Sequence, residues 1–241
     1  MKCFIPAAGF GKRMEEFTQN LPKPLLPVAG IPLIYYALYY AYRLGIQEVA
    51  INLHYKSEMI LEELKNFHWM TLRFSIEQSD ILGTAGGIKT AIEGVWREDE
   101  KFLVINPDSI FSWSKDLESI MKSDFEEALL FLLPNPKGEE YTELNLVNGK
   151  IFFGGGEYYY PGISVLQKKI LNDVKLNTYY DLSTIFRNLS AIGKLDGIVF
   201  PGQAIDFGDS EKYRKNQNVE IFTGDELIHF EKFYKENKRY E

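Results

Sequence analysis

Short unbroken apolar runs alternate with helical patterns through the first hundred residues. Lys2 to Ala8 has the composition of a buried strand. Leu33 to Leu44 is apolar on all sides and predicts a largely buried helix ending at Gly45. Glu48 to Leu53 reads as a second strand, Ser57 to Asn66 as an amphipathic helix with Ser57 as its cap, and Leu72 to Glu77 as a third strand. A helix over Ile88 to Val95 and a strand over Lys101 to Ile105 continue the alternation. Strand and helix in turn predict a Rossmann-like α/β fold, with a mostly parallel sheet between layers of helices. Ligands in such sheets sit at the carboxyl ends of the strands.

The second half is less regular. Leu117 to Met121 suggests a helix and Ala128 to Leu133 a strand. Asn145 to Phe152 predicts a hairpin turning at Asn148-Gly149, the core of a small β insertion. Tyr158 to Leu166 reads as a strand, whose three tyrosines suit either a ligand pocket or a wall packed on the core. Helices are expected over Asp181 to Leu189, from Ser210 to Asn216, and at the aromatic, charged C-terminal end. The tyrosines of Leu33 to Leu44 suit a stacking platform or, more simply, core packing.

At 241 residues the chain can bury a sizeable core. No linker, repeat or low-complexity segment divides it, so a single domain over 1–241 is expected. A net charge of −7 argues against a general nucleic-acid binder. The single cysteine, Cys3, falls in the first strand and is expected in the core rather than as a nucleophile. No internal disulfide can form, no apolar run is long enough to span a membrane, and Met1 leads straight into a strand. A cytoplasmic location is therefore expected. Three scattered histidines make a zinc site a poor reading.

The candidate chemistry follows predicted strands. Gly9-Phe10-Gly11-Lys12-Arg13-Met14 is a glycine-punctuated turn with two cations, and Lys23 stands between Pro22 and Pro24. Glycines let backbone N–H groups approach a phosphate, and Arg13 and Lys23 add positive charge. A second glycine-rich segment, Leu82-Gly83-Thr84-Ala85-Gly86-Gly87, follows the third strand. Read alone it is a helix-entry turn as readily as a ligand loop. Gln78 could present a donor and an acceptor to a nucleobase, or be an ordinary strand-end residue. Asp108 emerges after the fourth strand, where a carboxylate can either cap a turn or hold Mg²⁺.

Taken together, Ala7-Ala8-Gly9-Phe10-Gly11-Lys12-Arg13-Met14 and Pro22-Lys23-Pro24-Leu25 resemble the signature of the sugar-1-phosphate nucleotidyltransferases. The resemblance extends through Leu82-Gly83-Thr84-Ala85-Gly86 and Asn106-Pro107-Asp108 to Asp206-Phe207-Gly208. It implies the nucleotidyltransferase (GT-A-like) version of the fold without an appended β-helix domain. It also implies Mg²⁺-dependent transfer from an NTP to a sugar 1-phosphate, giving an NDP-sugar and pyrophosphate. Arg13 and Lys23 would be catalytic, and Ala7, Ala8, Gly9, Gly11, Gln78, Gly83 and Thr84 would bind nucleotide. Asp108 and Asp206 would hold the metal.

Three departures shape the expectation. Pro107 stands where the family has glycine, and Ala204 where it has tryptophan. Gly154-Gly155-Gly156-Glu157 replaces the Glu-Lys-Pro of the larger thymidylyltransferases. The last change is similar to compact N-acetylmuramate 1-phosphate uridylyltransferases, which points to UTP, while Gln78 as a base reader suits UTP or dTTP; Glu157 and Gly162 are left as the sugar-side candidates. A catalytically inactive nucleotide-sugar sensor and a choline-phosphate cytidylyltransferase-like enzyme are the alternatives. A dehydrogenase is excluded by Met14 in place of a third glycine, and a P-loop kinase by Arg13 in place of Ser or Thr. Oligomeric state is not legible.

Overall fold

The computed structural model of the chain describes residues 1–97, 100–113, 117–136 and 139–237. In chain order the strands are β1 (Lys2–Pro6), β2 (Pro27–Val28), β3 (Ile31–Pro32), β4 (Glu48–Leu53), β5 (Thr71–Ile76), β6 (Lys101–Ile105), β7 (Ser109–Trp113), β8 (Ala128–Pro134), β9 (Leu144–Val147), β10 (Lys150–Phe153), β11 (Tyr158–Tyr159), β12 (Ile163–Gln167), β13 (Leu195–Val199) and β14 (Gly202–Asp206). The α-helices are α1 (Leu33–Arg43), α2 (Ser57–Glu63), α3 (Gly83–Ile92), α4 (Leu117–Met121), α5 (Leu182–Ala191), α6 (Ser210–Asn216) and α7 (Gly224–Glu236).

Ten strands form one sheet in the order β11-β9-β10-β13-β8-β12-β6-β1-β4-β5. The expected parallel arrangement holds for β5, β4, β1 and β6. Beyond β6 the sheet is mixed. β12 lies antiparallel between β6 and β8, and the β9–β10 hairpin adds further antiparallel pairs. A crossover helix is needed only between parallel neighbours, and the strand–helix alternation stops where the antiparallel part begins.

Alternate residues of each strand enter opposite cores. Cys3 and Ile5 of β1 join one cluster and Phe4 the other. Leu103 and Ile105 of β6 likewise face away from Phe102 and Val104. The first core packs under α1 and α7 and the second under α3 and α5. Fully burying a side chain such as Phe4 contributes roughly 1.5–3 kcal/mol.

The helix-forming tyrosines are core residues. Tyr35, Tyr36, Tyr39 and Tyr40 are buried, and only Tyr42 of that set is exposed. Tyr40 also accepts a hydrogen bond from the Phe111 N–H at 2.8 Å, which anchors β7. The hairpin turns where the sequence predicts, with Asn148 and Gly149 both at positive φ (50° and 77°), as a type I′ turn requires.

Two expectations on helix starts are corrected. Ser57 does not cap α2: the preceding residue, Lys56, is left-handed and no side-chain cap bond forms. α3 begins at Gly83, five residues before the expected Ile88, so the second glycine segment is its first turn and a half rather than a loop. Close packing explains those glycines. A Cβ on Gly86 would lie 2.2 Å from the Thr178 carbonyl oxygen, and one on Gly87 would lie 2.5 Å from Asn52 Nδ2.

Candidate active site

A cavity of about 330 Å³ opens at the carboxyl ends of β1, β4 and β6. Its lining brings together Ala7, Ala8, Gly9, Gly11 and Arg13 from the first motif, Lys23 and Pro24 from the second, Gly83 and Thr84 from the start of α3, and Asp108 after β6. Gly208 closes one side, while Asn52 and Asn106 also face the space.

The first motif is shaped by one glycine. Gly11 has φ +64°, and a Cβ there would lie 2.8 Å from Thr18 Cγ2. Below it, a 3-10 helix over Lys12–Thr18 carries Arg13 toward the cavity and buries Met14 in the core. Gly9, by contrast, has open space where a Cβ would be, which leaves its backbone approachable. Phe10 stacks edge-on against His54 at 5.2 Å and steadies the loop from outside.

Lys23 extends from a short 3-10 turn whose start is set by Pro22 and Pro24. Its Nζ donates to Asp108 Oδ2 at 2.5 Å and to the Gly208 carbonyl at 3.4 Å. Burial alone would raise the Asp108 pKa, but Lys23 and then Arg13 outweigh it and hold the carboxyl below its ordinary range. Asp108 is therefore an anion at neutral pH, and Lys23 engages only one of its two oxygens. Pro107 does not divert it. Asn106 donates its N–H to the Gly162 carbonyl at 2.8 Å and Phe207 donates to the Asp108 carbonyl at 2.8 Å, so both flanks are fastened.

Asp206 reaches the same region by strand pairing. β7 and β14 form a separate antiparallel ribbon in which Asp206 lies opposite Ser109. Asp206, however, is not among the residues that line the cavity. Oδ1 accepts the Gly208 N–H at 2.7 Å, and Oδ2 accepts Lys212 Nζ at 2.7 Å and the Tyr141 hydroxyl at 2.8 Å. The two aspartates expected to share one ion thus differ in surroundings: Asp108 lines the cavity, and Asp206 accepts three protein hydrogen bonds.

Other predicted residues lie elsewhere. Gln78 is exposed and does not line the cavity, because β5 ends at Ile76 and α3 starts seven residues later. Glu157 is exposed, and its backbone carbonyl accepts the Asn135 N–H at 2.7 Å. Gly162 is buried against Asn106, with φ +103° and no room for a Cβ. Of the three tyrosines, Tyr159 is buried and stacks on Tyr141 at 4.2 Å, while Tyr160 bonds Ser164 at 2.9 Å.

The sequence reading missed a pair that ties the two glycine segments together. Asn52, at the end of β4, accepts the Ala7 N–H at 2.9 Å and donates to Glu77 Oε1 at 2.7 Å. Glu77 Oε2 accepts the Leu82 N–H at 2.7 Å. Both side chains are buried, so these bonds form away from competing water. A polar residue ending an apolar strand was the available signal for Asn52. Nothing in the sequence marks Glu77 apart from its neighbours.

A pocket of glycine backbone, two cations and one anionic carboxylate is suited to holding a polyphosphate. The comparisons agree with that chemistry. Residues 2–141 match the family model described as Nucleotidyl transferase. The chain is 27% identical over 228 residues to a D-glycero-alpha-D-manno-heptose 1-phosphate guanylyltransferase of Aneurinibacillus thermoaerophilus, covering 90% of this chain and 97% of that one. It is 30% identical over 229 residues to a probable mannose-1-phosphate guanylyltransferase 3 of Oryza sativa subsp. japonica, covering 88% of this chain but 63% of the longer relative. Among solved structures, a putative glucose-1-phosphate thymidylyltransferase from Bacillus anthracis shares the fold at TM-score 0.74 and 21% identity, covering 95% of this chain and 99% of that one. HddC from Yersinia pseudotuberculosis, complexed with GMP-PN, does so at TM-score 0.72 and 23% identity, covering 89% and 97%. With the family model spanning more than half of its length, the chain belongs to the nucleotidyl transferase family.

Proposed function

We propose that the protein transfers a nucleotidyl group from an NTP to a sugar 1-phosphate and releases pyrophosphate. The observation that carries this reading is the cavity itself, where Gly9, Gly11, Arg13, Lys23 and Asp108 converge at strand ends. The acceptor phosphate is already an anion, so no general base is required. The barrier lies in bringing two polyanions together and in charge growing on the leaving pyrophosphate. Backbone N–H groups of the first glycine turn and the Arg13 guanidinium would hold the outer phosphates. Lys23, already inside the cavity, would exchange its bond to Asp108 for one to the reacting phosphate.

Asp108 fits a divalent ion: it is ionised, faces the cavity and has an oxygen beyond the one Lys23 holds. Mg²⁺ there would neutralise phosphate charge. Asp206 does not fit, since both of its oxygens already accept protein hydrogen bonds.

GTP is the favoured donor in this proposal, and a manno-configured hexose or heptose 1-phosphate the favoured acceptor. The support is that both curated relatives named above are guanylyltransferases of such sugars. The UTP or dTTP expectation rested on Gln78 and on the resemblance to the muramate-type enzymes, and Gln78 is exposed and outside the cavity. Pyrophosphate release should be measured for each NTP against glucose, mannose, heptose, N-acetylmuramate and choline phosphates. The expected maximum is GTP with mannose or heptose 1-phosphate. A maximum with UTP or dTTP would reverse the base assignment. Nucleotide binding without turnover for any pair would favour the sensor reading.

A further inference from the structure

Lys212 lies in α6, outside every motif that pointed to the cavity. Its ammonium donates to Asp206 Oδ2 at 2.7 Å, to the Tyr141 hydroxyl at 2.8 Å, and lies 3.0 Å from Glu139 Oε2. These partners come from β14 and from the segment before β9. Tyr141 is held in turn by its stack on Tyr159 and by its own donation to Asp206. Asp209 caps the same helix, accepting the Lys212 N–H at 2.9 Å, so the lysine backbone is fixed as well.

A carboxylate offers about four acceptor positions. Three on Asp206 are filled, and one of the donors, Lys212, carries a full positive charge. A divalent ion binding there would have to displace Lys212 or stand beside it. Among the described residues, no three His, Cys, Asp or Glu side chains converge to hold a metal.

We propose that Asp206 is not a metal ligand in this chain: Lys212 is its permanent counter-cation, and divalent metal binds through Asp108 without it. Asp206 instead acts as a positioning residue. Its bond to the Gly208 N–H sets the wall whose carbonyl receives Lys23. Lys212, by neutralising Asp206, keeps the second carboxylate from competing for the ion. The inference rests on the reading of Asp108 as a metal ligand, and the test below separates the two.

Mn²⁺ alone is titrated into the full-length protein, with free ion followed by electron paramagnetic resonance, so no turnover is needed. Asp206→Asn should bind Mn²⁺ within about twofold of wild type, whereas Asp108→Asn should bind at least about tenfold more weakly. Lys212→Met should bind about tenfold more tightly, and adding Asp206→Asn to it should remove that gain. A loss in Asp206→Asn as large as in Asp108→Asn overturns the proposal while leaving the metal reading intact. An Asp108→Asn variant that binds as wild type does removes the metal reading and this inference with it. Thermal unfolding checks each variant. If Asp206→Asn does not fold, Lys212→Met decides alone, and unchanged affinity there counts against the proposal.

Discussion

The two sides of the cavity are built differently. The proposed phosphate side consists of one continuous stretch, Ala7 to Pro24, in which glycine and proline set the backbone and Arg13 and Lys23 line the cavity. The far side, behind Gly208, consists of side chains from separate segments: Asp206, Lys212, Tyr141 and Glu139. A backbone cradle keeps its shape whichever side chains surround it, because its conformation is locally determined. A side-chain cluster exists only when the strands that carry it are paired. The first kind of construction tolerates exchange of neighbouring side chains, whereas the second changes its chemistry when one of its residues is replaced.

The largest effect should come from breaking the phosphate side at Lys23. Lys23→Ala is expected to lower turnover by about 10² to 10³ while the protein remains folded. Pyrophosphate release and circular dichroism measure the two parts, and a near-normal rate in a folded variant would move Lys23 out of the chemistry.

Next comes the join between the two glycine segments. Glu77→Ala leaves the buried Asn52 amide and the Leu82 N–H without their acceptor. The expected cost is about 3 kcal/mol in denaturant unfolding. Because the pair positions both segments without touching the reacting atoms, KM for the NTP should rise more than kcat falls. An equal loss in both parameters would instead place Glu77 at the reaction itself.

Smaller still is the hairpin turn. Gly149→Ala forces an L side chain to φ 77° and should cost about 1 kcal/mol. Turnover should not move, since the hairpin is distant in role from the phosphate cradle. A matching loss of activity would tie the β insertion to the site.

The smallest effect is expected at Gln78. Gln78→Ala should change KM for each NTP by less than about twofold, as is usual for an exposed residue away from special contacts. A selective loss for UTP or dTTP would restore its base-reading role and contradict the placement described above.

Much of this molecule was legible before its tertiary structure. The β1 strand, the Gly11 turn, the buried α1 and the Asn148-Gly149 hairpin all depend on interactions within a few residues. Period-two burial, glycine at positive φ and proline geometry act locally, so sequence pattern alone carried them. The proline-flanked turn that carries Lys23 was legible for the same reason. Gln78 misled because its amide chemistry was suitable while its position depended on where α3 begins, and α3 begins early because Gly86 and Gly87 allow close packing against Thr178 and Asn52.

What tertiary structure alone decided was which polar groups share a partner. Asn52 and Glu77 meet because β4 and β5 pair in parallel, with Leu53 opposite Ile76. Asp206 approaches Asp108 because β7 and β14 pair antiparallel, yet Tyr141 and Lys212 converge on it first. A sequence lists donors and acceptors, but a hydrogen bond forms only within about 3 Å. Distances that short between residues far apart in the chain are set by sheet register and packing, not by local pattern.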